Sequence, residues 1–345
     1  MSLVLDIEKQ LGNFRLKTAV ECGNEVLSLL GASGCGKSMT LKCIAGIEKP
    51  DRGRIAVDGH VLCDSEQGIN LSVQKRQVGM LFQNYALFPN MTVATNIRMG
   101  TKREGGCDEA TLRSVMERFG LLEAADLYPH QISGGQQQRT ALARILISKP
   151  DILLLDEPFS ALDSHLRFRM EEEVRSVIRS FGKTVVLVSH NRDEVFRLSD
   201  QVAIMQDGKI DRIGKKTEVF RDPQTVNAAT LTGCKNISPV KILDAHHFLA
   251  TDWGLTFCVS AIPEDAGYVG IRMHFICPGE GENTFACSVT EEIENPFSYT
   301  VMLKKSDKEH VRSFGWELDK EAWKEFRKKD VIVHIPETSL HFLKK

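Results

Sequence analysis

The 345-residue chain is longer than one ordinary domain, and its 44 basic against 46 acidic side chains give a net charge of −2. Two domains are therefore expected, and the balance argues against a nucleic-acid binder whose affinity rests on a basic surface, though it does not exclude a local basic patch. Nine cysteines, odd in number and scattered without CxxC pairs or metal-ligand spacing, predict reduced thiols in a cytosolic protein.

Met1–Ile7 carries Asp6 and lacks the basic start and apolar run of a signal peptide, and no stretch approaches the roughly eighteen uninterrupted apolar residues of a membrane span. Any membrane role is expected to fall to a partner. Glu25–Leu30 is a short, mostly apolar run ending at a glycine-rich turn, and Lys37–Ala45 reads as a helix stopped at Gly46. Pro50-Asp51-Arg52-Gly53 is turn chemistry, and Arg54–Asp58 alternates like a half-buried strand. After Asp108, an expected N-cap, the residues Leu112, Val115, Met116 and Phe119 recur at helical spacing, and a helical insertion is predicted over about 84–147.

Ile152–Leu155 and Thr184–Val188 are continuous apolar runs, typical of parallel strands buried on both faces. The helix between them has inward positions at Leu166, Met170, Val174, Val177, Ile178 and Phe181, in a unit expected to close right-handed. Val202–Met205 and Lys209–Ile213 flank Gln206-Asp207-Gly208, a hairpin expected at the edge of the first domain. The first domain is predicted over 1–233. Over 234–345 short strand candidates (Lys241–Leu243, Leu255–Val259, Tyr268–Arg272, Cys287–Ile293, Tyr299–Leu303 and Val331–Ile335) predict a small all-β barrel. The cluster Lys304, Lys305, Lys308, Lys324, Arg327, Lys328 and Lys329 reads as a solvated face.

Chemistry concentrates in a few places. Gly31-Ala32-Ser33-Gly34-Cys35-Gly36-Lys37-Ser38 has the pattern of a loop whose backbone amides wrap a phosphate chain at a helix N-terminus. In that loop Lys37 reaches the β and γ phosphates and the Ser38 hydroxyl serves Mg²⁺. Asp156 and Glu157 end a buried strand in adjacent carboxylates, a setting that calls for a cation or a reacting group: Asp156 for the metal, Glu157 for the water that attacks the γ-phosphate. His190, after the next strand, reads on its own as an ordinary satisfied histidine; its place in this series is what assigns it the orienting of that water. Ser133-Gly134-Gly135-Gln136 has capping-box spacing, which explains Ser133 and Gln136 but not two glycines inside the cap.

Read in order, Gly31–Ser38, Gln83, Ile132–Gln136, Ile152–Glu157, Ser160–Asp163 and His190 give the chain a resemblance to the nucleotide-binding subunits of ABC transporters over about its first 233 residues. In that family these are the Walker A loop, Q-loop, signature, Walker B, D-loop and switch histidine. The resemblance implies an α/β P-loop NTPase domain with a helical subdomain, followed by an oligonucleotide-binding-like barrel of TOBE/Mop type. It further implies ATP and Mg²⁺ as cofactors, with Glu157, His190 and Lys37 catalytic and Ser38, Gln83 and Asp156 at the metal. A homodimer would sandwich ATP between one subunit's Walker A loop, including Met39, and the other's Ser133, Gly134, Gly135 and Gln136. Phe14 is the one aromatic offered for stacking on adenine. Gln83 would report to a permease docking near Tyr85, Phe88, Pro89 and Met91, residues that serve equally well as core. Met39 for threonine, Ile132 for leucine and Ser189-His190-Asn191 for Thr-His-Asp depart from the family pattern without removing a reacting group.

Phe82–Pro89 with Met91-Thr92-Val93 looks like the importers of sugars, spermidine, ferric iron, sulfate or molybdate, and Leu11–Phe14 with Gly233–Ser238 looks most like the molybdate members. The expectation is molybdate or tungstate import, driven from the cytoplasmic face of the membrane through permease subunits and an extracytoplasmic binding protein. The other cargoes, and a soluble ABC ATPase outside transport, are the alternatives. The C-terminal domain is expected either to bind oxyanion or only to build a dimer contact.

Overall fold

The computed structural model describes residues 3–101, 108–160, 164–308, 310–326 and 330–344, which form two compact units, Met1–Lys216 and Thr217–Lys345. In the first unit β1 (Leu3–Leu11), β2 (Phe14–Cys22) and β3 (Val26–Gly31) lead through the glycine loop into α1 (Lys37–Ala45). β4 (Arg52–Val57), β5 (His60–Asp64), β6 (Ile69–Asn70) and β7 (Val78–Leu81) follow. Next come α2 (Val93–Arg98), α3 (Glu109–Arg118), α4 (Gly134–Leu146), β8 (Ile152–Asp156) and α5 (Ser164–Phe181). β9 (Val185–Ser189), α6 (Arg192–Leu198), β10 (Gln201–Gln206) and β11 (Lys209–Lys215) complete the unit.

Eleven strands make one sheet in the order β6-β5-β4-β1-β2-β11-β10-β3-β9-β8-β7. Its β10, β3, β9, β8 and β7 run parallel. Every residue of β3, β8 and β9 is buried, because successive side chains feed two different cores. Leu153, Leu155, Val185 and Leu187 pack with the α2–α5 side, while Ile152, Leu154, Val186 and Val188 pack with α1 and the β1–β5 strands. Strands covered on both faces have no solvent side to mark with polar residues, hence the unbroken apolar runs. Their carboxyl ends converge where α1 begins.

Two local expectations need correcting. Arg52 and Gly53 lie within β4 rather than in a turn. Gly53 has φ 108, and a Cβ there would stand 1.9 Å from the Asp6 carbonyl oxygen on β1, so the glycine serves strand approach. The predicted alternation over Arg54–Asp58 fails because a bulge between Ile55 and Ala56 shifts the register, leaving Ile55, Ala56 and Val57 all buried. The Asp207-Gly208 hairpin joins β10 and β11, the last two strands of the first unit; in the sheet β11 lies between β10 and β2, and the Lys17 amide donates to Gly208 O at 2.7 Å. Finally, Ala161, Leu162, Asp163 and the side chain of Leu166 lie outside the described residues. Met170, Val174, Val177 and Ile178 do face the core, and Phe181 packs against it.

Following α7 (Lys216–Arg221), the second unit contains α8 (Val226–Leu231), β12 (Asn236–Ile242), β13 (His247–Ala250), β14 (Leu255–Cys258), β15 (Tyr268–Ile271), β16 (Cys277–Pro278) and β17 (Thr284–Glu294). β18 (Ser298–Lys305), β19 (Phe314–Asp319), α9 (Lys320–Phe326), β20 (Asp330–His334) and β21 (Leu340–Leu343) complete it. The strands form two five-stranded sheets, β14-β13-β12-β15-β21 and β16-β20-β17-β18-β19, a half-barrel arrangement rather than one closed barrel. Phe248, Phe257 and Ile271 of the first meet Val301, Trp316 and Val333 of the second in a single core.

The division between units falls at Lys216, ahead of the expected 233. Residues 217–233 are tied to the second unit by Ala229 packing on Cys234 and Leu343, and by the Arg272 guanidinium donating to the Phe220 and Thr232 carbonyls. Of the basic cluster, Lys324 is exposed and pairs with Glu321, while Arg327, Lys328 and Lys329 lie outside the described residues. The described cysteines are free thiols.

Candidate functional site

The loop between β3 and α1 folds as it does because its glycines reach backbone angles other residues resist. Gly34 has φ 80 and Gly36 φ 109, and a Cβ on Gly36 would press within 2.8 Å of Leu16 Cδ1. Gly36 then stands as N-cap of α1, leaving the first amides of that helix facing outward for an anion. Lys37 is 7% exposed and lies across the loop, its Nζ donating to Gly31 O at 2.7 Å and Ala32 O at 2.8 Å. Ala32 and Cys35 contribute backbone, and the Cys35 thiol is buried against Gly31.

Behind the loop, the Ser38 hydroxyl donates to Asp156 Oδ1 at 2.8 Å. Asp156 ends β8 with 8% exposure. Burial, and then the neighbouring Glu157 charge, push its carboxyl above the usual range, while the Ser38 hydrogen bond pulls the other way. Glu157 has a left-handed backbone, φ 49, and its amide donates to Val188 O at 3.0 Å. A non-glycine residue held at such an angle beyond a strand end is strain of the kind that collects at functional sites. Its Oε2 is 2.8 Å from His190 Nδ1, and the His190 ring is otherwise mostly exposed.

Of these groups Gly34, Gly36, Lys37, Ser38, Glu157 and His190 line one cavity of about 600 Å³, and Asp156 reaches it only through Ser38. Its lining joins Leu11 and Phe14 of the β1–β2 hairpin, Ser33 and Met39 of the loop and α1, and Gln83 to those groups. Leu11 was not foreseen, although it precedes the Gly12 turn whose φ of 57 folds the hairpin over the loop.

The signature residues are not part of this cavity. Ser133, Gly134, Gly135 and Gln136 sit at the start of α4, where Gln136 N donates to Ser133 Oγ at 3.3 Å and Ser133 N donates to Gln136 Oε1 at 2.9 Å. The capping box thus accounts for Ser133 and Gln136. Gly135 has an internal reason as well, since a Cβ there would come 3.2 Å from Met170 Sδ on α5. Gly134 is exposed.

The segment after Gln83 divides between core and surface. Tyr85 belongs to the core, whereas Phe88 is 40% exposed and Pro89 is exposed. Tyr85 and Ala86 both have positive φ, 59 and 44. They are held there by Arg144 of α4, which donates to Tyr85 O at 2.9 Å and Ala86 O at 2.8 Å and lies over the Phe88 ring. Arg144→Ala is expected to raise amide exchange across residues 84–92 by about tenfold, the equivalent of roughly 1–2 kcal/mol of lost hydrogen bonding. Exchange rates equal to those of the unaltered chain would refute this role.

Comparison with known proteins bears on what the cavity serves. A protein-family model described as ABC transporter matches residues 16–160. The chain is 43% identical over 225 residues to the spermidine/putrescine import ATP-binding protein PotA of Nitratidesulfovibrio vulgaris, covering 64% of this chain and 60% of that protein. It is 38% identical over 301 residues to the Fe(3+) ions import ATP-binding protein FbpC 1 of Pectobacterium atrosepticum, covering 83% and 81% respectively. The chain thus spans less than two thirds of the first of these relatives and about four fifths of the second. Among solved structures, a dimeric ATP-binding cassette in a post-hydrolysis state bound to ADP and Pi superposes with a TM-score of 0.53 at 27% identity, over 63% of this chain and 99% of the other. With identity of this order sustained across most of an import protein, and the Walker, Q-loop and switch residues gathered in one cavity, the chain belongs to the ABC transporter ATP-binding proteins of importer type.

Proposed function

We propose that this chain binds ATP in the cavity at the head of α1 and hydrolyses it to drive an importer. The observation that carries the reading is the convergence of Lys37, Ser38, Gln83, Glu157 and His190 on that one cavity. Leu11 and Phe14 offer an apolar surface for the base, the loop amides and Lys37 take the phosphates, and Glu157 accepts a proton from the attacking water while His190 orients it. Mg²⁺ fits the site. Ser38 and Asp156 present oxygen donors 2.8 Å apart, and the burial that raises the Asp156 pKa is relieved by a cation. Ser38, Asp156 and the Gln83 amide would hold the ion, which supplies positive charge against the phosphates. Lys37→Ala is expected to weaken ATP binding about 10–100-fold, the loss of a charge-assisted hydrogen bond. Unchanged affinity by calorimetry would remove Lys37 from the phosphate site.

The signature residues lie outside their own chain's cavity. This supports a head-to-tail homodimer in which the partner's α4 closes the nucleotide site. Among the described residues no helix is long and apolar enough to cross a membrane. Coupling to transport is therefore assigned to permease subunits docking on the exposed Phe88–Pro89 segment at the cytoplasmic face, with an extracytoplasmic binding protein delivering the cargo. Relatives are named for spermidine and putrescine, for Fe(3+), and for trehalose and maltose. These names put a polyamine, ferric iron or a sugar ahead of molybdate or tungstate as cargo. Transport with the cognate permease across that set of solutes tests the assignment.

For the C-terminal unit the dimer-contact role is favoured over oxyanion sensing. Two of its cavities, of about 400 and 470 Å³, hold Asp222 with Asp265 and Glu317 with Asp319. The Lys344 that also lines the first is already paired with Asp265, which leaves neither cavity, among the described residues, with a cation free of a carboxylate to meet an anion. Molybdate titrated into the whole chain is expected to give no saturable heat. Saturable heat with one site per chain would restore the sensor.

A further inference from the structure

β9 ends at Ser189, whose hydroxyl makes two bonds in opposite senses. It donates to Glu194 Oε2 at 2.7 Å and accepts from the Asn191 amide at 3.0 Å. The residue between Ser189 and Asn191 is His190, so the backbone on both sides of the imidazole is fastened to one buried oxygen. Asn191 completes the arrangement: its Oδ1 accepts from the Asp193 and Glu194 amides at 2.9 and 3.3 Å, capping α6 and setting where Glu194 stands. Both departures from the Thr-His-Asp pattern are thereby absorbed, since serine keeps the hydroxyl and asparagine keeps the cap.

Glu194 is 4% exposed. Its second oxygen faces Arg167 Nε at 3.7 Å on α5, the helix that begins directly after residues 161–163. A turn further on, Glu171, 3% exposed, receives Arg197 of α6 at 2.7 and 2.9 Å. The Glu171–Arg197 pair already locks α5 to α6, so packing of those helices does not by itself require a buried acid at 194. Burial of a carboxylate is costly, and the bond this one makes toward β9 runs to the hydroxyl that brackets His190.

We propose that Glu194 is a positioning residue for His190, holding the Ser189 hydroxyl and with it the backbone of the switch residue at the distance from which the imidazole meets Glu157. It touches neither substrate nor reacting atoms and acts only through the histidine. The inference rests on the hydrolytic reading of the cavity.

The test is a set of double-mutant cycles on ATP turnover by the whole chain. Ser189→Ala and Glu194→Leu are each expected to lower kcat about tenfold with KM for ATP changed less than about twofold, because the phosphate loop is untouched. Glu194→Gln, which keeps an acceptor for the Ser189 hydroxyl, is expected to recover most of that loss. In the His190→Ala background, followed under single-turnover conditions, neither Ser189→Ala nor Glu194→Leu should cost anything further. Equal losses with and without His190 would overturn the proposal, as would wild-type kcat in Ser189→Ala. Ser189→Ala also decides the matter if Glu194→Leu fails to fold. An unaltered chain that does not turn over ATP would instead sink the hydrolytic reading, and this inference with it, whereas a His190→Ala chain at the wild-type rate would remove His190 from that reading and overturn the proposal alone.

Discussion

Glu157→Gln is expected to hydrolyse ATP about a thousandfold more slowly than the unaltered chain while binding it as tightly, the size of effect produced by removing a general base. The amide has the shape of the carboxylate but cannot accept the proton of the attacking water. Nothing else about the position needs to change, since glutamine meets the same left-handed backbone at φ 49 and the same amide bond to Val188. Lys37, Ser38 and the loop glycines, which carry the nucleotide, are left alone. The substitution also removes the negative charge 2.8 Å from His190 Nδ1, so the imidazole is left with a weaker, neutral partner. On the proposed head-to-tail closure, in which bound ATP holds two chains together until it is hydrolysed, the variant should accumulate as an ATP-bound dimer at saturating nucleotide. Phosphate release, nucleotide affinity and size-exclusion chromatography measure the three parts. Wild-type phosphate release would remove Glu157 as base, and slow release without a dimer would leave the base and discard the head-to-tail closure.

The nucleotide half of the site was legible because its determinants are local. Gly34 and Gly36 announce left-handed angles, Gly46 stops α1 where expected, and the runs in β8 and β9 are apolar throughout because each strand is covered twice. What could not be read depends on residues far apart in the chain. Gly53 looks like turn chemistry until Asp6 is known to lie against it. β12 was recognised only at its end because its first half is polar. Asn236 is buried there by exchanging bonds with both the amide and the carbonyl of Gly315, at 2.7 and 2.6 Å. A buried polar residue satisfied by a partner seventy-nine positions away breaks the alternation on which strand prediction relies. Arg144 and Glu194 were missed for the same reason: their partners are backbone carbonyls or a hydroxyl, which leave no motif.

Asp156→Asn should separate stability from function in opposite directions. In the wild type the Asp156 carboxyl is pushed up first by burial and next by the Glu157 charge, with Ser38, Lys42 and Lys37 pulling down. A carboxyl whose folded pKa lies above its unfolded value makes the folded state bind more protons, so its contribution to stability falls as pH rises from about 4 through the folded value. Above that value the cost is fully present. Asparagine keeps an acceptor for the Ser38 hydroxyl and carries no charge. The nucleotide-free variant should therefore melt higher at neutral pH, by about 2–4 °C if roughly 1 kcal/mol is recovered in a domain of this size. The advantage should shrink as pH falls through the folded value of the wild-type carboxyl, which is then neutral like the asparagine. With ATP and Mg²⁺ present the order should reverse, because only the wild type has a carboxylate to hold the cation and gain from the ligand, and turnover in the variant should be lost. Melting curves across pH, with and without the nucleotide, measure every part of this. A variant that melts lower than the wild type at neutral pH without nucleotide would mean that Asp156 stabilises the empty fold, and the tension between the buried charge and its setting would not be the reason a cation fits there.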